Sequence, residues 1–186
     1  MSKAGAEAIE RAAQLLGAYE NPPLKIEHSE SSLLVKPEIE AGFEITIYNV
    51  AEDAMVSAER WHTHYEDPLQ AAFCLLWLLT PYYRIVHELK GGVLVAAWLE
   101  RYEEDGWVPI DPVYFLNPES EQDWVAKPGE HYTHRYIQQA VLPPPRPYRY
   151  FCPGAKLDES ELPPDFHQGS RVEIVDGPAG PDLLDC

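Results

Sequence analysis

The fold is decided by one apolar stretch, Asp67-Pro68-Leu69-Gln70-Ala71-Ala72-Phe73-Cys74-Leu75-Leu76-Trp77-Leu78-Leu79, which ends at Thr80-Pro81. Asp67 is a favoured N-cap residue and Pro68 is favoured at the first helical position, so the sequence predicts a helix at about 68–79. This helix is apolar nearly all round, and a helix of that kind is buried on most sides. We therefore expect it to be the central core helix, crossing an antiparallel sheet.

Four segments before this helix have the extended character of strands: residues 24–28, 32–39, 43–50 and 54–64. The clearest is Phe43–Tyr48, in which apolar and polar residues alternate with the period of a half-buried strand. An N-terminal helix is predicted over residues 3–19, because apolar side chains recur there at three- and four-residue spacing. Asn21-Pro22-Pro23 ends it.

A hairpin is predicted after the helix, with residues 82–90 and 93–102 joined by Gly91-Gly92. Pairing of Lys90 with Val93 predicts an apolar face on which Ile85 lies opposite Trp98 and Leu89 lies opposite Leu94. The other face then carries the charged residues Arg84, Glu88 and Lys90. His87 falls on the apolar face, where we expect a core histidine with a hydrogen bond. Trp107–Leu116 is predicted to return as an edge or bulged strand, because it contains Pro109 and Pro112.

These elements predict an α+β domain at residues 1–142, with an antiparallel sheet of about five strands covered by the 68–79 helix. His131–Leu142 is predicted to be a short helix. Residues 143–186 read as a proline-rich acidic extension, partly ordered or wrapped around the domain, with a short ordered piece at Val172–Val175.

Composition limits the function. The 186 residues include 31 acidic and 14 basic ones, for a formal charge of -17. No basic cluster exists, which argues against nucleic-acid binding. The three cysteines form no C-x-x-C pair, as is typical of a reducing compartment. The longest apolar run has nine residues, Ala71–Leu79, whereas a membrane span needs about 20. With no hydrophobic signal region at the N-terminus, we expect a cytoplasmic protein away from membranes.

The sharpest chemical cluster is Trp61–Asp67. In an extended strand His62, His64 and Glu66 share one face, and two imidazoles with a carboxylate are plausible ligands for a divalent metal. His131 and His134 could join them. The alternative is that the histidines flank a sheet edge and that no cofactor is bound.

The aromatic content indicates contact with a partner, since tyrosine and tryptophan are favoured at interfaces. Candidate interaction residues are Trp107, Tyr148 and Tyr150. We predict a non-catalytic interaction or regulatory protein that binds a basic protein, because an acidic surface attracts a basic one. The alternative function is a metal-dependent, hydrolase-like enzyme built on His62, His64 and Glu66. A third possibility is self-association through the hairpin or the strand near Trp107.

Residues 43–107 also resemble a small bacterial protein family of unknown function. The shared features are the strand Phe43–Tyr48, the Trp61–Asp67 stretch, the helix Leu69–Leu79 followed by Thr80-Pro81, the Gly91-Gly92 hairpin and Asp105-Gly106-Trp107. The resemblance implies no activity.

Overall fold

A computed structural model describes residues 3–40, 42–103, 106–114, 132–142 and 169–177. Its elements are α1 (Lys3–Leu16), β1 (Leu24–His28), β2 (Ser32–Pro37), β3 (Ile45–Asn49), β4 (Ala54–Ala58), β5 (Trp61–Tyr65), α2 (Pro68–Leu78), β6 (Tyr83–Lys90), β7 (Val93–Glu103), β8 (Gly106–Tyr114), β9 (Tyr132–Ala140) and β10 (Gly169–Gly177). The strands form two antiparallel five-stranded sheets. Sheet A has the order β1-β2-β3-β4-β5 and sheet B has the order β10-β9-β6-β7-β8. The α+β class is confirmed, and the second sheet is additional to the one predicted.

Helix α2 begins where the sequence predicts. The Asp67 side chain accepts a hydrogen bond from the Leu69 backbone N–H at 2.8 Å, and Pro68 occupies the first turn. The helix packs against α1, β3, β4 and β5 on one side and contacts β6 and β9 of sheet B on the other. The part of the helix from Ala71 to Leu78 is therefore buried between the two sheets, apart from the half-buried Phe73. Within the described ranges, neither helix is long and apolar enough to cross a membrane.

Helix α1 closes the core beside α2. Its buried side chains, among them Ala8, Ala12 and Leu16, face α2 and the inner surface of sheet A. The helix begins as predicted and ends at Leu16, earlier than expected. Gly5 allows the close approach to β3, because a Cβ atom at this position would lie 2.3 Å from Asn49 Oδ1.

The segment 54–64, predicted as one strand, is a hairpin of β4 and β5. Glu59 and Arg60 form its two-residue turn, and both have positive φ angles, of 46° and 68°. Such turns usually contain glycine or asparagine. Neither Glu59 nor Arg60 is a residue that indicates such a turn, so the sequence pattern predicted one continuous strand across it.

The predicted hairpin register holds only near the turn. Lys90 pairs with Val93 and Leu89 with Leu94, but the register shifts by one at a β-bulge between Glu88 and Leu89. Val95 is the extra residue of that bulge. Ile85 consequently pairs with Leu99 rather than with Trp98, and the prediction for this pair was wrong. Trp98 lies opposite Val86, on the face that carries Arg84 and Glu88.

The helix predicted over His131–Leu142 was also wrong, because this segment forms β9. The strand pairs with β6 on one side and with β10 on the other. Most of its residues are buried on both faces, including Tyr132, Ile137 and Gln139. A strand buried on both faces lacks a clean alternation of apolar and polar residues, so its aromatic spacing suggested a helix instead.

The sequence predicted both edge strands of sheet B, β8 and β10, as extended or ordered segments. The strand after the second turn is β8, an edge strand whose pairing with β7 is irregular between Ala97 and Leu99. The ordered piece predicted at Val172–Val175 is the centre of β10, which pairs with β9 along its length. The division into residues 1–142 and 143–186 stays a prediction, and residues 143–168 and 178–186 lie outside the described residues.

Truncating a buried leucine of α2 should cost far more stability than truncating an exposed one. Leu75 is completely buried, whereas Leu69 in the same helix is 42% exposed. We expect Leu75→Ala to lower the free energy of unfolding by about 2–5 kcal/mol. The matched control Leu69→Ala should change it by about 0.5 kcal/mol or less. Urea denaturation followed by circular dichroism measures both, and equal losses would contradict the central position of α2.

Candidate functional sites

Two of the predicted metal ligands, His62 and His64, lie on the outer face of sheet A, the face opposite α1 and α2. The inner face of this sheet packs its apolar side chains against those helices. Side chains alternate along a strand, so His62 and His64 of β5 project together from the outer face. Their neighbours across β4 are Ser57 and Met55. The histidine pair is therefore part of a surface that no described helix covers.

The structure brings His62 and His64 side by side. Their ring centroids are 5.9 Å apart and the rings meet at 78°. The Nδ1 atom of His64 lies 3.1 Å from both carboxylate oxygens of Asp53. Half of the His64 side chain is exposed, and 24% of that of Asp53. The sequence pattern missed Asp53, which is distant in the chain and comes near His64 only because Ala54 pairs with Tyr65.

The other predicted metal ligands are placed elsewhere. Glu66 is exposed and follows the end of β5. His134 lies in β9, where its Nε2 atom is 3.1 Å from Glu88 Oε2. His131 lies outside the described residues, as do Tyr148 and Tyr150. No three His, Cys, Asp or Glu side chains within the described residues form a group that could hold a metal ion. The metal-dependent enzyme stays a prediction.

A polar cluster occupies the face of sheet B that carries Trp98, called here the second face. The Nε atom of Arg84 donates to Glu100 Oε2 at 2.6 Å, and Trp98 Nε1 donates to the other carboxylate oxygen at 3.1 Å. The Arg84 guanidinium lies over the rings of Trp107 and Tyr136, at 4.2 and 4.3 Å from their centroids. Trp107, a predicted interaction residue, thus contacts the protein's own arginine, and its role toward a partner stays a prediction.

The His134–Glu88 pair belongs to the same second face. The two side chains are 8% and 11% exposed, so this pair is largely buried within the sheet surface. The His134 ring meets Trp98 edge to face, with centroids 5.9 Å apart. Sequence reasoning missed this arrangement because it predicted a helix over His131–Leu142 and a β6–β7 register without the bulge. In the structure Glu88 lies opposite both Ala96 on β7 and His134 on β9.

His87 is the buried histidine of the opposite face, as predicted from the hairpin pattern. It is 5% exposed, and its Nε2 atom bonds the backbone carbonyl of Glu59. That bond joins sheet B to the β4–β5 turn of sheet A. Burial lowers the pKa of the His87 imidazole, outweighing the opposite effect of this hydrogen bond. His87 is therefore a neutral structural residue that ties the two sheets together.

The two edge strands at the outer ends of the sheets differ in character. On β1, at the edge of sheet A, Lys25 and Glu27 form an exposed ion pair at 2.7 Å. On β10, at the edge of sheet B, three large apolar side chains are exposed: Val172 by 42%, Ile174 by 67% and Val175 by 41%. Charged side chains protect edge strands from pairing with other chains, whereas apolar ones favour it.

Comparison with known proteins adds no candidate function. No protein-family model matches the chain, and searches of curated proteins and of solved structures found no significant match. The resemblance to a small bacterial family stays a prediction.

Acidification should destabilise the protein through His87. Because its pKa is lowered in the folded state, the unfolded chain binds more protons once the pH falls to the unfolded value of about 6.5. The stabilising contribution is complete above that value and is lost as the pH falls through it toward the lower folded pKa. We expect the urea midpoint to drop between about pH 7.5 and about pH 5.5, and to drop less in His87→Gln.

The control for this experiment is His28→Gln, which removes an exposed imidazole from β1. This variant should keep the wild-type drop in midpoint. An undiminished drop in His87→Gln would show that other groups cause the acid sensitivity.

Proposed function

We propose that this protein acts by binding another protein, which is basic, and that the exposed edge strand β10 is the binding element. The observation that carries the proposal is the row of exposed apolar side chains on an edge strand. Ile174 is two-thirds exposed although it lies at the middle of a nine-residue strand. A strand of this kind can accept an extended segment of a partner through backbone hydrogen bonds.

Both faces of β10 contribute to the proposed contact. Val172 and Ile174 project from one face of sheet B, and Val175 projects from the other. An added strand would gain main-chain hydrogen bonds along the edge. It would also gain apolar contacts above and below the sheet. We propose that the partner segment carries apolar residues at alternate positions to match them.

Charge supports a basic partner. The chain has a formal charge of -17, and β10 itself carries two acidic residues, Glu173 and Asp176, against one basic residue, Arg171. The Asp176 carboxylate lies near the C-terminal end of β10, where it accepts a hydrogen bond from the Thr133 hydroxyl at 2.8 Å. Two copies of this chain would repel each other, whereas a basic partner would be attracted and would associate faster at low salt.

The proposed function predicts that one lysine at the edge abolishes partner capture. The full chain, immobilised and exposed to lysate of its source organism, should retain a basic protein detected by quantitative mass spectrometry. Ile174→Lys should lower that capture about tenfold or more, because a lysine on an edge strand opposes the addition of a further strand. Raising the salt concentration should also weaken the capture.

Val93→Lys is the matched control. Val93 is 63% exposed at the start of β7, next to the hairpin turn, so this variant adds the same charge away from β10. Capture should remain at the wild-type level, and both variants should keep the wild-type circular dichroism spectrum. Equal capture by the wild type and Ile174→Lys would contradict the proposal. A dimer that dissociates in Ile174→Lys would assign the edge to self-association instead.

A further inference from the structure

The outer face of sheet A carries two neighbouring imidazoles that the proposed contact at β10 does not use. His62 and His64 are fixed two residues apart on β5, which is paired with β4 along its length. The separation of their ring centroids, 5.9 Å, is compatible with two imidazoles that bind one ion through nitrogen at about 2.0–2.1 Å each. Half of the His64 side chain is open to solvent. Access and spacing both suit an ion that binds imidazole nitrogen.

Asp53 gives His64 the orientation of a metal ligand. A carboxylate accepts hydrogen bonds, so the His64 nitrogen 3.1 Å from both Asp53 oxygens, Nδ1, must carry the proton. In the neutral ring the lone pair is then on Nε2, the nitrogen that points away from Asp53. This carboxylate–histidine arrangement is the one that orients imidazole ligands in metal sites and raises their basicity.

The ligand set limits the kind of ion. Imidazole suits zinc, copper and nickel, whereas magnesium and calcium need oxygen ligands. No third His, Cys, Asp or Glu within the described residues joins this pair into a chelating group, so water fills the other positions. The formal charge of -17 raises the local concentration of cations around the whole chain.

We propose that His62 and His64 bind one late first-row transition ion, with zinc, nickel or copper as the chemical class, and that Asp53 positions His64 for this role. The site has two protein ligands, one from each imidazole, and is open to a further ligand from solvent. Asp53 acts through His64 as a positioning residue. The site lies on sheet A and is independent of β10, so the two proposals fail or succeed separately.

The test is a titration of the full chain, labelled with ¹⁵N, with Zn²⁺ alone. Long-range ¹H–¹⁵N spectra of the histidine rings report the tautomer and the nitrogen that binds the metal. Before zinc is added, His64 should show a protonated Nδ1. On titration His62 and His64 should shift together and saturate with one common dissociation constant, with the change for His64 at Nε2.

Three variants separate the roles. His62→Gln and His64→Gln should each weaken zinc binding about tenfold or more, because each removes one of two ligands. Asp53→Asn should weaken it by about 10-fold while both histidines remain, as expected for the loss of an orienting carboxylate. The matched control His28→Gln removes an exposed histidine of the same sheet and should leave the affinity unchanged.

Separate dissociation constants for the two rings, or wild-type affinity in either histidine variant, would overturn the site. Unchanged affinity and an unchanged His64 tautomer in Asp53→Asn would overturn the positioning role. All variants should keep the wild-type urea midpoint within error, because these side chains lie on the outer face of the sheet. Weaker binding that follows a loss of folding would count against the proposal, since it would assign the effect to stability.

Discussion

A helix that is apolar on every side is stable in water only when other elements cover it on every side. Helix α2 imposes this constraint, since its residues from Ala71 to Leu78 are buried with the single exception of Phe73. Sheet A and α1 cover it from one direction, and strands β6 and β9 of sheet B cover it from the other. Trp77 adds ring contacts to Tyr82 and Tyr83, at 6.1 and 5.5 Å, where the chain enters sheet B. The core is continuous across both sheets because side chains of both sheets cover this helix.

The same constraint determines where polar chemistry can lie. Each sheet uses one face to cover the common core, so polar side chains collect on the other face. On sheet A that face is open and carries the His62–His64 pair with Asp53. On sheet B the second face carries the largely buried Arg84–Glu100 ion pair, with Arg84 between the rings of Trp107 and Tyr136. An ion pair shielded from water in this way interacts more strongly than an exposed one, provided that its hydrogen bonds are satisfied.

The edge strands β1 and β10 differ in the side chains that govern pairing with a further strand. The exposed ion pair on β1 discourages a further strand, whereas the apolar side chains of β10 favour one. A net charge of -17 opposes pairing between copies and favours a partner of opposite charge. If β10 is the binding element, as we propose, apolar contact would attract an added strand and charge would select that strand.

Local sequence signals were enough to predict the elements whose ends are marked by capping, proline or glycine residues, or whose residues alternate with a clear period. Helix α2 follows from an N-cap and a proline, β3 from alternation, and the β6–β7 hairpin from two glycines. The position of His62 and His64 on the same face of β5 also follows from the sequence, because alternate residues of a strand share a face. The edge character of β8 follows from its prolines.

Other features depend on which strands pair and in what register, and only the tertiary structure decided them. The bulge at Val95 turns Trp98 toward Arg84, although the turn residues alone predict the opposite face. Segment 132–140 is a strand because β6 and β10 satisfy its backbone groups on both sides, which no local spacing encodes. The Asp53–His64 contact exists because the β4–β5 hairpin closes at two residues with positive φ angles. In a regular strand, sequence periodicity determines the face on which a side chain lies, but pairing with the neighbouring strand determines where a bulge reverses that face and which residue the side chain meets.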